Sequence, residues 1–233
     1  LVYFCLALVY LVDNIATALD KGYFALDVFL DFSKAFDTVD HDILFTKLEH
    51  YGVRGLALNW LKSYLTNRKQ FVEYSGTESC RQVISCGVPQ GSILGPLLFL
   101  IYINDIANVS SKLSTILFAD DTSTFITGQN IKDLTATMNC ELSKVYTWLV
   151  VNRLSLNVKK SHFILFSNAK TVTNDNVYIN GTIIERVNST KFLGVQIDDK
   201  LSWKTHIHYI KGKISRGIGI LCKLGNHCPR LRC

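Results

Sequence analysis

The stretch "TILFADDTSTF", residues 115–125, sets two adjacent acids between two runs of strand-forming residues. Thr115 to Phe118 run into Ala119, Asp120 and Asp121, and Thr122, Thr124, Phe125 and Ile126 resume the β pattern. The spacing predicts a hairpin over 113–128 with the acids at its tip. Neighbouring carboxylates repel. Taken alone the pair reads as a solvated turn, because Asp bonds its own backbone well there. A carboxylate cluster has a second use, as hard-oxygen ligands to Mg²⁺.

A third acid bears on that choice. "FALDVFLDF", 24–32, is a nearly continuous apolar run that reads as a central strand buried on both faces, with Asp31 near its end. A carboxylate beside such neighbours is costly without a partner. Asp27 is expected at the strand's far end, roughly 13 Å from Asp31 at about 3.3 Å per residue, too far to share one site. Asp37 and Asp40 read as structural acids at a helix start. If the strand ending at Asp31 neighbours the hairpin, three carboxylates converge on one sheet edge. Such a site can hold two Mg²⁺ ions about 4 Å apart for in-line phosphoryl transfer.

Outward from these two strands the chain alternates helix and strand signals. The opening "LVYFCLALVYLV" is apolar for 12 residues, too short to span a bilayer, and lacks a signal peptide's basic start. It reads as a buried helix continuing through "DNIATALDKG" and stopping at Gly22. Helices are expected over 40–52 and 55–67, the second with Leu56, Trp60, Leu61, Tyr64 and Leu65 on one face. A hairpin around Ser75-Gly76 follows, then a Gly/Pro loop opening an apolar helix (87–105) and a long amphipathic helix within 130–157. Short strands close the chain at 160–167, 176–187 and 190–203. The pattern is α+β.

Of 233 residues, 48% are hydrophobic and 19% charged, which excludes a disordered chain and allows a sizeable core. The net charge of +6 suits an anionic partner such as nucleic acid without demanding one. Seven scattered cysteines with no C-x-x-C pair fit a reducing compartment and free thiols. The tail "CKLGNHCPRLRC" gathers Cys222, His227, Cys228 and Cys233 in a spacing that matches no familiar zinc pattern.

"FLDFSKAFDTVDHDIL", "GVPQGSILGPLLFLIYINDI" and "FADDT", in that order, resemble the palm motifs of reverse transcriptases, above all those of non-LTR (LINE-type) retrotransposons. "WLVVNRLSLNVKKSHFILF" and "KFLGVQIDDKLSW" resemble that family's next two motifs, so the likeness runs from about residue 12 to 205. It implies a polymerase palm of the right-hand fold, an antiparallel sheet packed on helices. Partial fingers and palm would occupy 1–187, and a primer-grip-like hairpin with the start of a thumb 188–233. The chain, which begins at Leu, would then be a fragment.

The resemblance also assigns roles. Asp31, Asp120 and Asp121 match the catalytic, metal-binding triad, with two Mg²⁺ ions as cofactor and Mn²⁺ as a substitute. Phe32, Ser33, Lys34, Ala35 and Phe36 match a nucleotide-binding segment, with Phe36 the steric gate that excludes a ribose 2′-hydroxyl; as an aromatic near a helix start it also reads as a core residue. Gln90 and Gly91 match the loop contacting nucleotide and template, the Gly permitting close approach and the Gln amide both donating and accepting. Pro89, Gly95 and Pro96 shape that loop. Lys160, or Lys159 beside it, matches a lysine that orients or protonates leaving pyrophosphate, and either also reads as a solvated surface lysine. Phe192, Leu193 and Gly194 match the primer grip, and the first two read equally as core.

The activity implied is RNA-directed DNA polymerisation, with RNA template, DNA primer and dNTPs as partners and no membrane. A full-length element of this kind is expected in nucleus and cytoplasm. A remnant that only binds nucleic acid, or a palm of the group II intron maturase type, are the alternatives.

Overall fold

The structure, a computed structural model, describes residues 2–169 and 175–227. Helix α1 (Val2–Asp20) leads into strand β1 (Phe24–Asp31). Helices α2 (His41–His50) and α3 (Gly55–Leu65) follow. A ribbon then projects: β3 (Glu73–Tyr74) pairs with β4 (Thr77–Glu78) across the expected Ser75-Gly76 turn, and β2 (Lys69–Gln70) pairs with β5 (Gln82–Val83) outside them. Helix α4 (Leu94–Ile103) precedes the hairpin of β6 (Ser114–Phe118) and β7 (Asp121–Gly128). Helix α5 (Ile131–Val151), strand β8 (His162–Phe166) and the pair β9 (Tyr178–Ile179) and β10 (Thr182–Ile183) come next. The last elements are β11 (Glu185–Arg186), the hairpin of β12 (Ser189–Phe192) and β13 (Val195–Asp198), and helix α6 (Lys204–His227).

The main sheet has the order β11-β8-β1-β7-β6, antiparallel except where β11 joins β8. β1 is central because it can be buried on both faces. Leu26, Val28 and Leu30 face a core built with Leu44 of α2, Phe99 of α4 and Met138 of α5. Ala25 and Phe29, alternating with them, face a second core with Leu11 and Ile15 of α1 and Phe192 of β12. The expected antiparallel sheet packed on helices is borne out.

Three local expectations change. α1 is buried on one face only: Leu6, Val9 and Tyr10 stay more than half exposed, because the sheet covers a single side of the helix. α3 turns Leu58 and Leu65, seven residues apart, inward and leaves Leu56 86% exposed and Trp60 57% exposed; these two flank an apolar groove of about 940 Å³ against α4. Asp27 lies in the middle of β1, not at its far end, and is wholly buried. Ser123 Oγ on β7 donates to its Oδ1 at 2.7 Å, and burial pushes the carboxyl up to about 7, because a dry interior disfavours the charged form.

Asp40 does cap α2, accepting the Ile43 N–H at 3.0 Å. Asp37 does not; it lies in the turn that precedes Asp40. Cys5, Cys80, Cys86, Cys140 and Cys222 are free thiols. Cys228 and Cys233, with the His227 side chain, lie outside the described residues. Among the described residues no helix is long and apolar enough to cross a membrane.

Candidate active site

Asp31 and Asp121 are direct register partners across β1 and β7. Phe118 pairs with Asp121 across the hairpin, so Ala119 and Asp120 form a two-residue turn. Ala119 adopts φ 53°, a left-handed backbone that costs a residue with a β-carbon about 1–2 kcal/mol. The turn breaks strict alternation between the two acids. The arrangement is electrostatically costly: like charges directly opposite on a sheet destabilise it. Partial burial raises the Asp121 carboxyl, the neighbouring charges of Asp120 and Asp31 raise it further, and Lys191 draws it back down.

Among the described residues no three His, Cys, Asp or Glu side chains are gathered as a ready metal cage. The donor set still suits a hard divalent cation. It consists of carboxylates alone, and their mutual repulsion is the charge a cation would neutralise.

Asp31 and Asp121 line a cavity of about 150 Å³ that Lys160 also lines. Lys160, not Lys159, is therefore the lysine placed beside the carboxylates. Its turn is wired to β1: the Asn157 N–H donates to Asp31 O at 2.8 Å, and the Asp31 N–H donates to Ser161 Oγ at 3.1 Å. Asp120 sits exposed on the turn itself.

Beyond Asp31 the chain makes a run of turns through residue 37. Phe32 is buried in the core and bridges to Leu156, while the Ser33 N–H donates to Ser155 O at 2.8 Å. Lys34 takes φ 51° and points to solvent; Ala35 is buried. Phe36 is half-buried, its ring 4.7 Å from that of Phe99 on α4. The Gln90 loop is laced to this segment. The Val88 N–H donates to Phe36 O at 2.8 Å, the Gly87 N–H to Val39 O at 2.7 Å, and Gln90 Nε2 to Asp37 Oδ1 at 2.8 Å. Gly87 is required here, since it has φ 89° and a β-carbon would sit 2.8 Å from Asp37 O. Gly91 takes φ 80° in open space. The two sequence-predicted nucleotide segments thus form one surface.

Leu193 and Gly194 both have positive φ, at 46° and 76°, and close the β12–β13 hairpin in two residues. Phe192 packs its ring 5.3 Å from that of Phe29, and Leu193 is buried beside it. Phe192 also lines the carboxylate cavity, so the hairpin docks against the site through its core residues.

A profile of the family described as reverse transcriptase (RNA-dependent DNA polymerase) matches residues 13–197. The chain belongs to the reverse transcriptase family. This domain is 30% identical over 207 residues to the probable RNA-directed DNA polymerase from transposon X-element of Drosophila melanogaster, covering 87% of this chain and 23% of that protein. It is 31% identical to the RNA-directed DNA polymerase from mobile element jockey of Drosophila funebris, over 82% of this chain and 21% of that one. The likeness to non-LTR retrotransposon enzymes is borne out, and the reverse transcriptase domain spans about a quarter or less of these relatives' length. Its fold matches that of apo telomerase from Candida Tropicalis truncated from its C-terminal domain, with a TM-score of 0.52, 14% identity, and coverage of 81% of this chain and 38% of that one. The telomerase of the same organism in complex with the TWJ fragment of telomeric RNA gives a TM-score of 0.56 at 12% identity, over 84% of this chain and 33% of that one. At those identities the likeness is one of fold.

Four residues of the reverse transcriptase domain's site escape sequence reasoning: Ser161, His162, Thr190 and Lys191. The last three line the carboxylate cavity, and Ser161 holds the Asp31 backbone. His162 adjoins the motif lysine pair and Lys191 precedes the "FLG" turn, but proximity in sequence to a motif says nothing of which way a strand faces.

Proposed function

We propose that this domain is the catalytic core of an RNA-directed DNA polymerase that extends a DNA primer on an RNA template with dNTPs. The observation that carries it is the register pair Asp31–Asp121, with Asp120 in the adjoining turn, on a reverse transcriptase-family sheet. Asp31, Asp120 and Asp121 are the residues that would hold two divalent ions, Mg²⁺ with Mn²⁺ as substitute. Such ions supply charge stabilisation to the attacking and leaving oxygens of an in-line displacement.

The chain's own residues account for the rest. The primer's 3′-hydroxyl gives up its proton to solvent as its oxygen bonds to the α-phosphorus and the bond to the pyrophosphate oxygen breaks. Lys160 gives a proton to the departing pyrophosphate. Phe36, held by Phe99, bars a 2′-hydroxyl. Gln90, tethered to Asp37, and Gly91 present amide and backbone to the nucleotide and template. The hairpin around Leu193 and Gly194 seats the primer end, and 188–233 begins a separate region that follows the palm and partial fingers of 1–187. The net charge of +6 suits an RNA–DNA hybrid bound through its phosphates.

Primer extension on poly(rA)/oligo(dT) tests this, with the chain alone and with a longer chain carrying the flanking regions of its element. Template-dependent dTMP incorporation that requires a divalent cation is the expected result. Hybrid binding without incorporation in both chains would overturn the proposal in favour of a nucleic-acid-binding remnant.

A further inference from the structure

His162 stands at the first position of β8, opposite Phe29 of β1, with its ring stacked on the Phe29 ring at 5.4 Å and 22°. Both ring nitrogens are engaged. Nδ1 is 2.9 Å from the carbonyl oxygen of Lys160, and Nε2 meets the hydroxyl of Thr190 on β12. A carbonyl oxygen only accepts, so Nδ1 must carry the proton. Nε2 of the neutral ring then accepts from the Thr190 hydroxyl, and of the two neutral tautomers only Nδ1–H satisfies both contacts. The imidazole is a two-ended connector between the Lys160 turn and the hairpin strand.

That turn is anchored on its other side to β1 through the Asp31 backbone, by the Asn157 N–H and by Ser161 Oγ. Within the turn the Lys160 and Ser161 N–H groups both donate to Asn157 O, at 3.1 and 3.0 Å. Lys160 is therefore held between two clamps, one on the metal-binding strand and one, His162, on β12. The Lys160 stem is exposed and carries several rotatable bonds, so its backbone position sets where its ammonium can reach. His162 and Thr190 line the same cavity as Asp31, Asp121 and Lys160.

We infer that His162, locked as its Nδ1–H tautomer, is a positioning residue that ties the Lys160 turn to β12 and so sets where the Lys160 ammonium stands at the carboxylate cavity. The inference rests on the reading of Lys160 as the group that serves pyrophosphate. His162 touches neither nucleotide nor metal ligand side chain in this role; it acts through Lys160.

Two measurements test it. In the chain alone, ¹⁵N-correlated NMR of the neutral His162 ring should show the proton on Nδ1, and an Nε2–H tautomer would overturn the assignment. In single-turnover dNTP incorporation by the polymerase-competent chain, H162F keeps the ring on Phe29 and loses both bonds. It should slow the maximal rate about 10-fold with dNTP affinity unchanged. H162N, whose side-chain amide can still donate to Lys160 O, should recover most of that loss. In a K160A background H162F should add nothing. An equal loss from H162F in both backgrounds, or H162N as slow as H162F, would mean an ordinary packing role and overturn the inference alone. K160A at the parental rate would instead overturn the reading of Lys160, and the inference with it.

Discussion

Asp31 and Asp121 face each other as a register pair across β1 and β7, although 89 residues lie between them in the chain. Asp31→Asn or Asp121→Asn leaves the pairing of the strands intact and removes one carboxylate charge from the cavity. Either should lower incorporation by 100-fold or more, about 3 kcal/mol of transition-state stabilisation, with hybrid binding by fluorescence anisotropy within about 2-fold of the parent. Cation-dependent synthesis near the parental rate in either variant would remove these carboxylates from the chemistry.

Phe36 rests on Phe99 and is only half-buried, so one edge of the ring is available to a sugar. Phe36→Val should raise ribonucleotide use relative to dNTP by about 10-fold or more, the scale on which a pocket discriminates small groups sterically. The ratio of kcat/KM values for dNTP and NTP measures it. An unchanged ratio in a folded variant would leave Phe36 as a packing residue.

Asp27 is the interior's titrating group. Its carboxyl is raised from 3.8 to about 7 by burial, a lowering contribution from Ser123 notwithstanding. The folded state thus holds the proton more tightly than the unfolded chain. The stabilisation is complete below about pH 4 and is lost as pH rises to about 7, after which the curve is flat. Asp27→Asn abolishes this titration. Relative to the parent, the variant should gain on the order of 3 kcal/mol between pH 5 and pH 8 in urea unfolding. Parallel pH curves for the two proteins would show that Asp27 is ionised in the fold.

Gly87 lets the Gln90 loop lie against the Asp37 turn. Gly87→Ala forces a left-handed alanine and a 2.8 Å contact with Asp37 O. Together these should cost about 2–4 kcal/mol of stability. The KM for dNTP should rise more than kcat falls, because the displaced loop carries Gln90. A Tm and KM both equal to the parent's would show that the loops are not coupled.

The reading of "FLDFSKAF", "GVPQG" and "FADDT" reached the site because each motif is a short local pattern. An apolar run ending in Asp31, a β-turn-β with acids at its tip and a glycine-rich loop are all written in adjacent residues. The α3 face was misread for a related reason. Leu56, Trp60, Leu58 and Leu65 are all apolar, and only packing in the core with α2 selects Leu58 and Leu65 as the buried side. Asp27 was placed wrongly because an acid inside an apolar run looks like a strand end, until a serine from another strand gives it a partner.

The sequence by itself determined the order of elements, the carboxylates, the motif lysine and the family, since these depend on residues close together along the chain. Tertiary structure alone decided that Asp121 opposes Asp31, that Lys160 and not Lys159 stands beside them, that Gln90 is tethered to Asp37, and that His162 joins the Lys160 turn to Thr190. Each of these is a contact between distant segments. Strand register and packing set such contacts over the whole sheet at once, and a shift of one residue in β7 would turn Asp121 away from the cavity.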